Sequence, residues 1–139
     1  MPYQPIVDLL EAELPCLFDE IAPGVLMTTL AGSRTRVRID EAISQIHIAT
    51  PVNGAHNGLP APHIAELLKL NFPNDLLGQS FLAQGNAAGH LDLIDIVTVT
   101  SVTPRQAFQR ILDQIRASIE ISLRIADARL GAALAIGDI

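Results

Sequence analysis

The sequence predicts an α+β fold: a first helix, a three-stranded antiparallel meander, a central helix, a two-strand hairpin and a long C-terminal helix. Three observations indicate this order. Residues 35–40 and 44–50 alternate between apolar and polar side chains, which is the period of half-buried strands. Two glycines in residues 85–89 predict a hairpin turn between two further strand-like runs. Thr103-Pro104 then begins a long helical pattern.

The N-terminal part predicts one helix and the meander. Residues 6–14 form the helix, in which Val7 and Leu14 make a second apolar stripe beside the main one. Residues 19–24 are predicted to be a connector and residues 25–30 the first strand. The two alternating segments follow with short links, so the three strands should pair as an antiparallel meander.

Residues 62–72 predict the central helix, because Pro62 suits a first helical turn and Pro73 prevents continuation. Apolar side chains form an arc that covers more of the circumference of this helix than packing against a single layer would bury. The residues of this arc are Ile64, Ala65, Leu67, Leu68, Leu70 and Phe72. Two copies related by a two-fold axis would bury the same face against itself, so we expect a homodimer with these six residues at the interface.

The hairpin strands are predicted at residues 79–84 and 90–100. The second strand changes phase midway, from Leu91 and Leu93 to Ile94 and Ile96. This change predicts either burial on both faces or a bulge near Asp95.

The last helix has a clear start, since Thr103 can cap it, Pro104 fits the first position and Gln106 completes a capping box. The predicted main apolar stripe is Phe108, Ile111, Leu112, Ile115, Ile119, Leu123, Ala126 and Leu130. Ile121 and Ile125 lie off this stripe and predict a second apolar side. Residues 1–130 are predicted to form one domain, and residues 131–139 a flexible tail.

Composition excludes several classes of protein. The chain has 139 residues, of which 49% are hydrophobic, and a formal charge of -6. The acidic balance and the 4% aromatic content argue against nucleic-acid binding. We find no apolar run long enough for a membrane span and no signal peptide, and the single cysteine suits a reducing cytoplasm. The excess apolar surface predicts oligomerisation or a protein partner.

The histidines and Cys16 raise the possibility of a metal or catalytic site. The histidines are His47, His56, His63 and His90, and they show no short paired spacing. His90, Asp92 and Asp95 are the best local cluster for a metal, although a polar strand start beside a turn is the strongly favoured interpretation. Cys16 is more typical of a small buried residue than of a nucleophile. No nucleophile elbow or phosphate-binding glycine loop is present, so we expect no enzyme activity, no cofactor and no metal.

One further pattern is a row of arginines. Arg34, Arg36 and Arg38 share one face of a predicted strand and could meet an acidic ligand, although a solvated face is the favoured interpretation.

Four segments, in this order, carry a resemblance to a known family. They are L-L-K-L-N-F, then L-G-Q-S-F-L-A, then G-H-L-D-L, and finally V-T-P-R-Q-A-F-Q-R-I-L. With them the chain resembles, over roughly residues 3–130, the class I chaperones of bacterial type III secretion systems, the Tir-chaperone family.

The resemblance implies a small acidic α+β protein that forms a homodimer, with the central helix at the two-fold axis. It also implies that the dimer holds an N-terminal segment of a secreted effector in a non-globular form, using the first helix and the outer sheet surface. The protein would then be bacterial and cytoplasmic, with the effector and a second copy of itself as partners.

Two classes of function remain open at the level of the sequence. The first is an ATP-independent secretion chaperone that keeps an effector soluble and secretion-competent. The second is a small α+β enzyme or ligand-binding domain with an unrecognised site. For the first we expect Val7, Leu14, Ile121 and Ile125 to contact the effector, because they lie beside the main stripes of their helices.

Overall fold

The computed structural model describes residues 4–13, 18–30, 33–52, 61–71, 77, 79–84 and 91–137. The helices and strands are α1 (Gln4–Glu13), β1 (Phe18–Ala22), β2 (Val25–Leu30), β3 (Ser33–Asp40), β4 (Gln45–Pro51), α2 (Ala61–Leu68), β5 (Phe81–Gln84), β6 (Leu91–Thr98) and α3 (Pro104–Gly137). Short 3-10 helices follow α2 (Lys69–Asn71) and β6 (Val99–Ser101). The predicted α+β fold is confirmed, and the helices and strands follow the predicted order with one additional strand, β1.

Six antiparallel strands form one sheet in the order β1-β2-β3-β4-β6-β5. The first four are sequential neighbours, whereas β6 returns to pair with β4 and leaves β5 at the second edge. The two edges are therefore the short strands β1 and β5.

The interpretation of residues 19–24 as a connector is wrong. They contribute most of β1 and the turn that joins it to β2, so the meander has four strands rather than three. Pro23 and Gly24 form the turn, and Gly24 takes φ +73°, a conformation that glycine adopts without steric cost. A register shift between Glu20 and Ala22 breaks the two-residue alternation, which explains why the pattern did not indicate a strand.

The described helices pack on one face of the sheet, which we call the inner face, and they bury two apolar clusters. The first joins α1 and the N-terminal half of α3 to the sheet, through Ile6, Leu10, Leu26, Val37, Ile46, Ile48, Val97, Val99, Ala107, Phe108, Ile111 and Ile115. The second joins α2 and the C-terminal half of α3 to the sheet, through Val52, Ile64, Leu77, Leu82, Leu91, Leu93, Ala117, Ile121 and Ile125.

A buried polar layer separates the two clusters. Thr50 donates to Oε1 of Gln114 at 2.6 Å, and its hydroxyl lies 2.8 Å from that of Thr35. Nε2 of Gln114 donates to the carbonyl oxygen of Ile48 at 3.0 Å and to the hydroxyl of Ser80 at 3.3 Å. Gln114 therefore links α3 to the sheet through directional contacts, which set the position of the helix more narrowly than apolar packing does.

Strand β6 follows a regular register against β4, from Thr98 opposite Gln45 to Asp92 opposite Pro51. No bulge occurs at Asp95, and the burial pattern alternates along the whole strand. The apparent phase change has a simple cause, since the buried position 95 is occupied by an aspartate that pairs with Arg110 on α3. Both alternatives derived from the sequence for this strand are wrong.

Helix α3 begins with the predicted capping box. The backbone N–H of Gln106 donates to the Thr103 hydroxyl at 3.1 Å, and the backbone N–H of Thr103 donates to Oε1 of Gln106 at 2.8 Å. Helical backbone continues to Gly137, so residues 131–137 are helical, while the mobility of residues 131–139 stays a prediction. No helix in the described ranges is long and apolar enough to cross a membrane.

Candidate protein-binding site

A groove of about 590 Å³ lies between α1, the β1–β2 turn and the end of β3. Its lining residues are Gln4, Val7, Glu11, Glu20, Pro23, Gly24, Leu26, Ile39 and Glu41. Helix α1 positions this groove because Ile6 and Leu10 are buried in the core. The next residue after Ile6 is rotated about 100° around the helix axis, which turns Val7 sideways toward the turn. Val7 is half-buried and remains in part accessible.

The groove combines an apolar floor with an acidic rim. Val7, Leu26 and Ile39 supply the apolar side chains, while the exposed residues Glu11 and Glu20 lie on the rim. Apolar area removed from water stabilises a complex by about 25 cal/mol per Å². The arrangement therefore suits an apolar side chain of a partner, followed by neutral or basic residues.

The edge strand β1 borders this groove, and the described part of the chain places no strand on its outer side. Among the described residues, none pairs with the outer edge of β1 through backbone hydrogen bonds. Ile21 in this strand is 56% exposed although it is a large apolar residue. An unpaired edge of this kind is a template for an added strand.

The opposite edge, β5, is covered at one residue by a side chain. The amide of Asn71 donates to the carbonyl oxygen of Leu82 at 2.8 Å and accepts from its N–H at 2.5 Å. Asn71 thus occupies the hydrogen-bonding positions that an added strand would need at Leu82. Of the two edges of the sheet, β1 is the one that the described residues leave open.

The residues predicted to contact the effector differ in their positions and accessibility. Val7 lines the groove, so its proposed role fits its position. Ile121 is 0% exposed and Ile125 is 5% exposed, and both belong to the second apolar cluster. The second apolar side that the sequence predicted on α3 is present, but it faces the sheet, so the burial of both residues contradicts their predicted contact with an effector. Leu14 lies outside the described residues.

The predicted main stripe of α3 is buried at Phe108, Ile111 and Ile115, but two of its later residues are exposed. Leu123, on the predicted main stripe, is 55% exposed, and Ala126 is also exposed. The buried face passes through Gln114 and Ser118, both 0% exposed, before it reaches Ile121. These two buried polar residues interrupt the apolar pattern of the buried face. The sequence pattern therefore assigned the core to the adjacent face of the helix, which carries Leu123.

The predicted dimer residues on α2 are only partly buried within one protomer. Ile64 is buried in the second cluster, and Leu67 and Leu68 are half-buried against it. Ala65 is exposed. Phe72 and the side chain of Leu70 lie outside the described part of the chain. The helix therefore presents Ala65 and parts of two leucines to solvent, and the dimer itself stays a prediction.

The alternative metal cluster does not form in the described residues. Asp95 lies on the inner face and is bound to Arg110, whereas Asp92 belongs to the alternate positions that face outward. His90 lies outside the described residues. Within the described ranges, no group of three or more His, Cys, Asp or Glu residues could hold a metal ion.

Comparisons with known proteins identify relatives by fold. No family model matches the chain, and no curated protein matches it. A solved complex of the Yersinia pestis type III secretion chaperone SycH with a stable fragment of YscM2 matches with a TM-score of 0.61 and 11% identity, over 85% of this chain and 98% of that chain. The heterodimeric ExoU–SpcU complex from the type III secretion system of Pseudomonas aeruginosa matches with a TM-score of 0.62 and 21% identity, over 86% of this chain and 96% of that chain.

A third solved structure, an uncharacterized protein from Methanothermobacter thermautotrophicus, matches with a TM-score of 0.63 and 12% identity, over 92% of this chain and 99% of that chain. At these identities the likeness establishes the fold. The fold implied by the resemblance to type III secretion chaperones is confirmed.

Sequence reasoning identified Val7 and missed the rest of the groove. Glu20 and the β1 edge were hidden in the segment interpreted as a connector, and Leu26 and Ile39 were assigned only to strands. The Pro23-Gly24 pair was the available signal, since it is a turn dipeptide that can join two strands.

Proposed function

We propose that the protein is an ATP-independent type III secretion chaperone, which binds the N-terminal chaperone-binding segment of a secreted effector and keeps it soluble and secretion-competent. The observation that carries this proposal is the open edge of β1 beside the apolar groove of Val7, within this fold. Solved structures of the same fold include the SycH and ExoU–SpcU complexes, in which two proteins are bound together.

The proposed binding mode is strand addition. An extended segment of the effector pairs with the outer edge of β1 through main-chain hydrogen bonds, and alternate side chains reach the apolar floor at Val7, Leu26 and Ile39. The segment loses conformational entropy when it orders, so its contact must be large and mainly apolar. A length on the order of 50 residues would be needed to wrap a small dimer.

The proposal includes a homodimer through α2. The exposed Ala65 and the partly exposed Leu67 and Leu68 support this contact, since a two-fold axis would bury the same surface of both copies. Pairing two copies would also give the effector two grooves, which lengthens the surface that one extended segment can follow.

We infer that the chain acts by binding and is not an enzyme. It needs no metal or cofactor for this function, and its place of action is the bacterial cytoplasm, before secretion. The support is the fold shared with secretion chaperones, together with the assignment of the acidic residue Asp95 to a structural ion pair.

Co-expression tests the proposal. The tagged protein is produced together with the product of a neighbouring gene that encodes a large secreted protein with a disordered N-terminus, and the complex is isolated on the tag. We expect the N-terminal segment to co-purify and the effector without this segment to be lost. If no N-terminal segment of any neighbouring secreted protein co-purifies, the chaperone function is refuted.

A further inference from the structure

A row of three arginines crosses the sheet face that lies opposite the described helices, which we call the outer face. Arg34, Arg36 and Arg38 are exposed on β3, while the intervening Thr35 and Val37 are buried on the inner face. The ion pairs of the described residues involve other side chains, and no hydrogen bond of the described residues engages these three guanidinium groups. Three cations without a partner among the described residues therefore lie along one strand, in a chain of net charge -6.

Apolar side chains flank the middle of the row. Arg36 lies opposite Met27 on β2 and Ala49 on β4. Both flanking residues are half-buried. Two of the arginines also border a hollow of about 240 Å³, whose lining is Met27, Arg34, Arg36, Ala49, Pro51 and Asp92. The hollow thus combines apolar side chains with two guanidinium groups and one carboxylate, that of Asp92, so its cations outnumber its anion.

The apolar surface continues from the row toward β5. Ile94 lies opposite Ala49 and Phe81, and Ile96 lies opposite His47. Phe81 and Ile96 are each 42% exposed. A ligand that crosses the outer face from the arginines would therefore meet further apolar side chains.

Geometry and charge restrict the ligand to an acidic polypeptide. Guanidinium groups recognise carboxylates through paired hydrogen bonds. Alternate residues of a strand lie about 7 Å apart, and alternate side chains of an extended peptide repeat at the same distance. Nucleic acid is disfavoured, because a continuous row of phosphates would meet the net negative charge of a chain in which the 15 acidic residues outnumber the 9 basic ones.

We propose that the outer face binds an acidic, extended segment of the client, with carboxylates at alternate positions that pair with Arg34, Arg36 and Arg38. This inference rests on the proposed function and specifies the chemistry of the client. The groove beside α1 has glutamates on its rim, so the two surfaces carry opposite charges. A client with a neutral or basic stretch and an acidic stretch therefore binds in one orientation only.

Labelled synthetic peptides test the outer face without requiring a client. The probe is a peptide in which glutamate alternates with threonine. The first comparison peptide has the same composition with all its glutamates at one end, and in the second, lysine replaces every glutamate of the probe. Binding is measured by fluorescence anisotropy to the wild-type protein, to the triple variant R34Q/R36Q/R38Q and to the matched control K69Q/R116Q/R124Q. The control removes the same number of cations from exposed positions, one in the 3-10 helix that follows α2 and two on α3.

We expect the alternating acidic peptide to bind more tightly than either comparison peptide, and added salt to weaken it strongly. The arginine-row variant should lose about tenfold or more in affinity, whereas the control should stay within about twofold. Equal binding of the two glutamate isomers, or equal binding by both variants, would overturn the inference. A drop in the molecular mass of the arginine-row variant in light scattering would also overturn it, because the row would then join two copies of the chain.

The peptide assay and the co-expression experiment test different claims, so one can give a negative result without the other. If the peptides behave as expected but no effector co-purifies, the acidic-peptide site stands and the chaperone function is wrong. If an effector co-purifies and the peptides show no preference, the function stands and this assignment of the outer face is wrong.

Discussion

Asp95 and Arg110 form a two-point ion pair that joins β6 to α3. Nε of Arg110 lies 2.8 Å from Oδ2 of Asp95, and Nη2 lies 2.5 Å from Oδ1. The aspartate side chain is 3% exposed and the arginine side chain 24% exposed. An aspartate in a mainly apolar interior is tolerated only because its charge is paired and hydrogen-bonded.

We therefore predict that Arg110→Ala lowers the free energy of unfolding by about 2–4 kcal/mol, because Asp95 then remains buried without its counter-charge. The matched control is Arg105→Ala, which removes a solvent-exposed pair with Glu13 at 3.1 Å and should cost less than about 1 kcal/mol. Urea unfolding followed by circular dichroism measures both. Equal losses for the two variants would show that the Asp95–Arg110 pair adds little to stability.

Client capture should depend on the floor of the groove. Val7→Asp places a charge among apolar side chains and beside acidic ones, so we expect co-purification of the effector segment to be abolished while the dimer persists. Ala12→Asp adds the same charge to an exposed position of the same helix and should leave capture unchanged. Moderate salt should weaken the complex only mildly at this groove, because the contact is mainly apolar. Retention of the effector by Val7→Asp would show that the segment binds elsewhere.

Dimer formation should depend on the exposed face of α2. Light scattering at micromolar concentration should give twice the 14.9 kDa chain mass. Ala65→Asp changes a residue that is exposed in the protomer, so its effect on mass can be separated from an effect on folding. We expect this variant to be a folded monomer, whereas Lys69→Asp on the exposed flank should stay dimeric. Leu67→Asp and Leu68→Asp should dissociate or unfold the dimer. A wild-type monomer under these conditions would contradict the prediction.

The two apolar sides of α3 should differ in their contribution to stability. Ile121→Ala removes buried side-chain volume from the second cluster and should cost about 2–4 kcal/mol. Leu123→Ala changes an exposed side chain and should stay within about 0.5 kcal/mol of the wild type. Thermal and urea unfolding of the two variants compare these costs. The opposite order would mean that the helix packs with the face that the sequence pattern selected.

Much of the fold was predictable because its signals are local. The alternation of β3 and β4 follows from side chains pointing to opposite faces, and the start of α3 follows from the hydrogen-bonding capacity of Thr103 and Gln106. The apolar arc of α2 likewise predicted a helix, and Ile64 on this arc is buried in the core, while the cover of the arc by a second copy stays a prediction. The ordered set of motifs was sufficient to predict the fold class.

Tertiary structure decided what local patterns could not. Strand β1 forms because it pairs with β2, and its register shift removes the alternation by which a strand is predicted from sequence. Asp95 occupies a buried position among apolar residues because Arg110 on α3 pairs with it. Gln114 and Ser118 lie on the buried face because the sheet and the helix itself satisfy their polar groups. The groove depends on three segments that are separate in sequence, so no single periodicity could reveal it. The sequence by itself determined which residues are apolar and where most helices and strands begin. Only the packed chain determined which apolar faces remain available to a partner, because burial depends on contacts between distant segments.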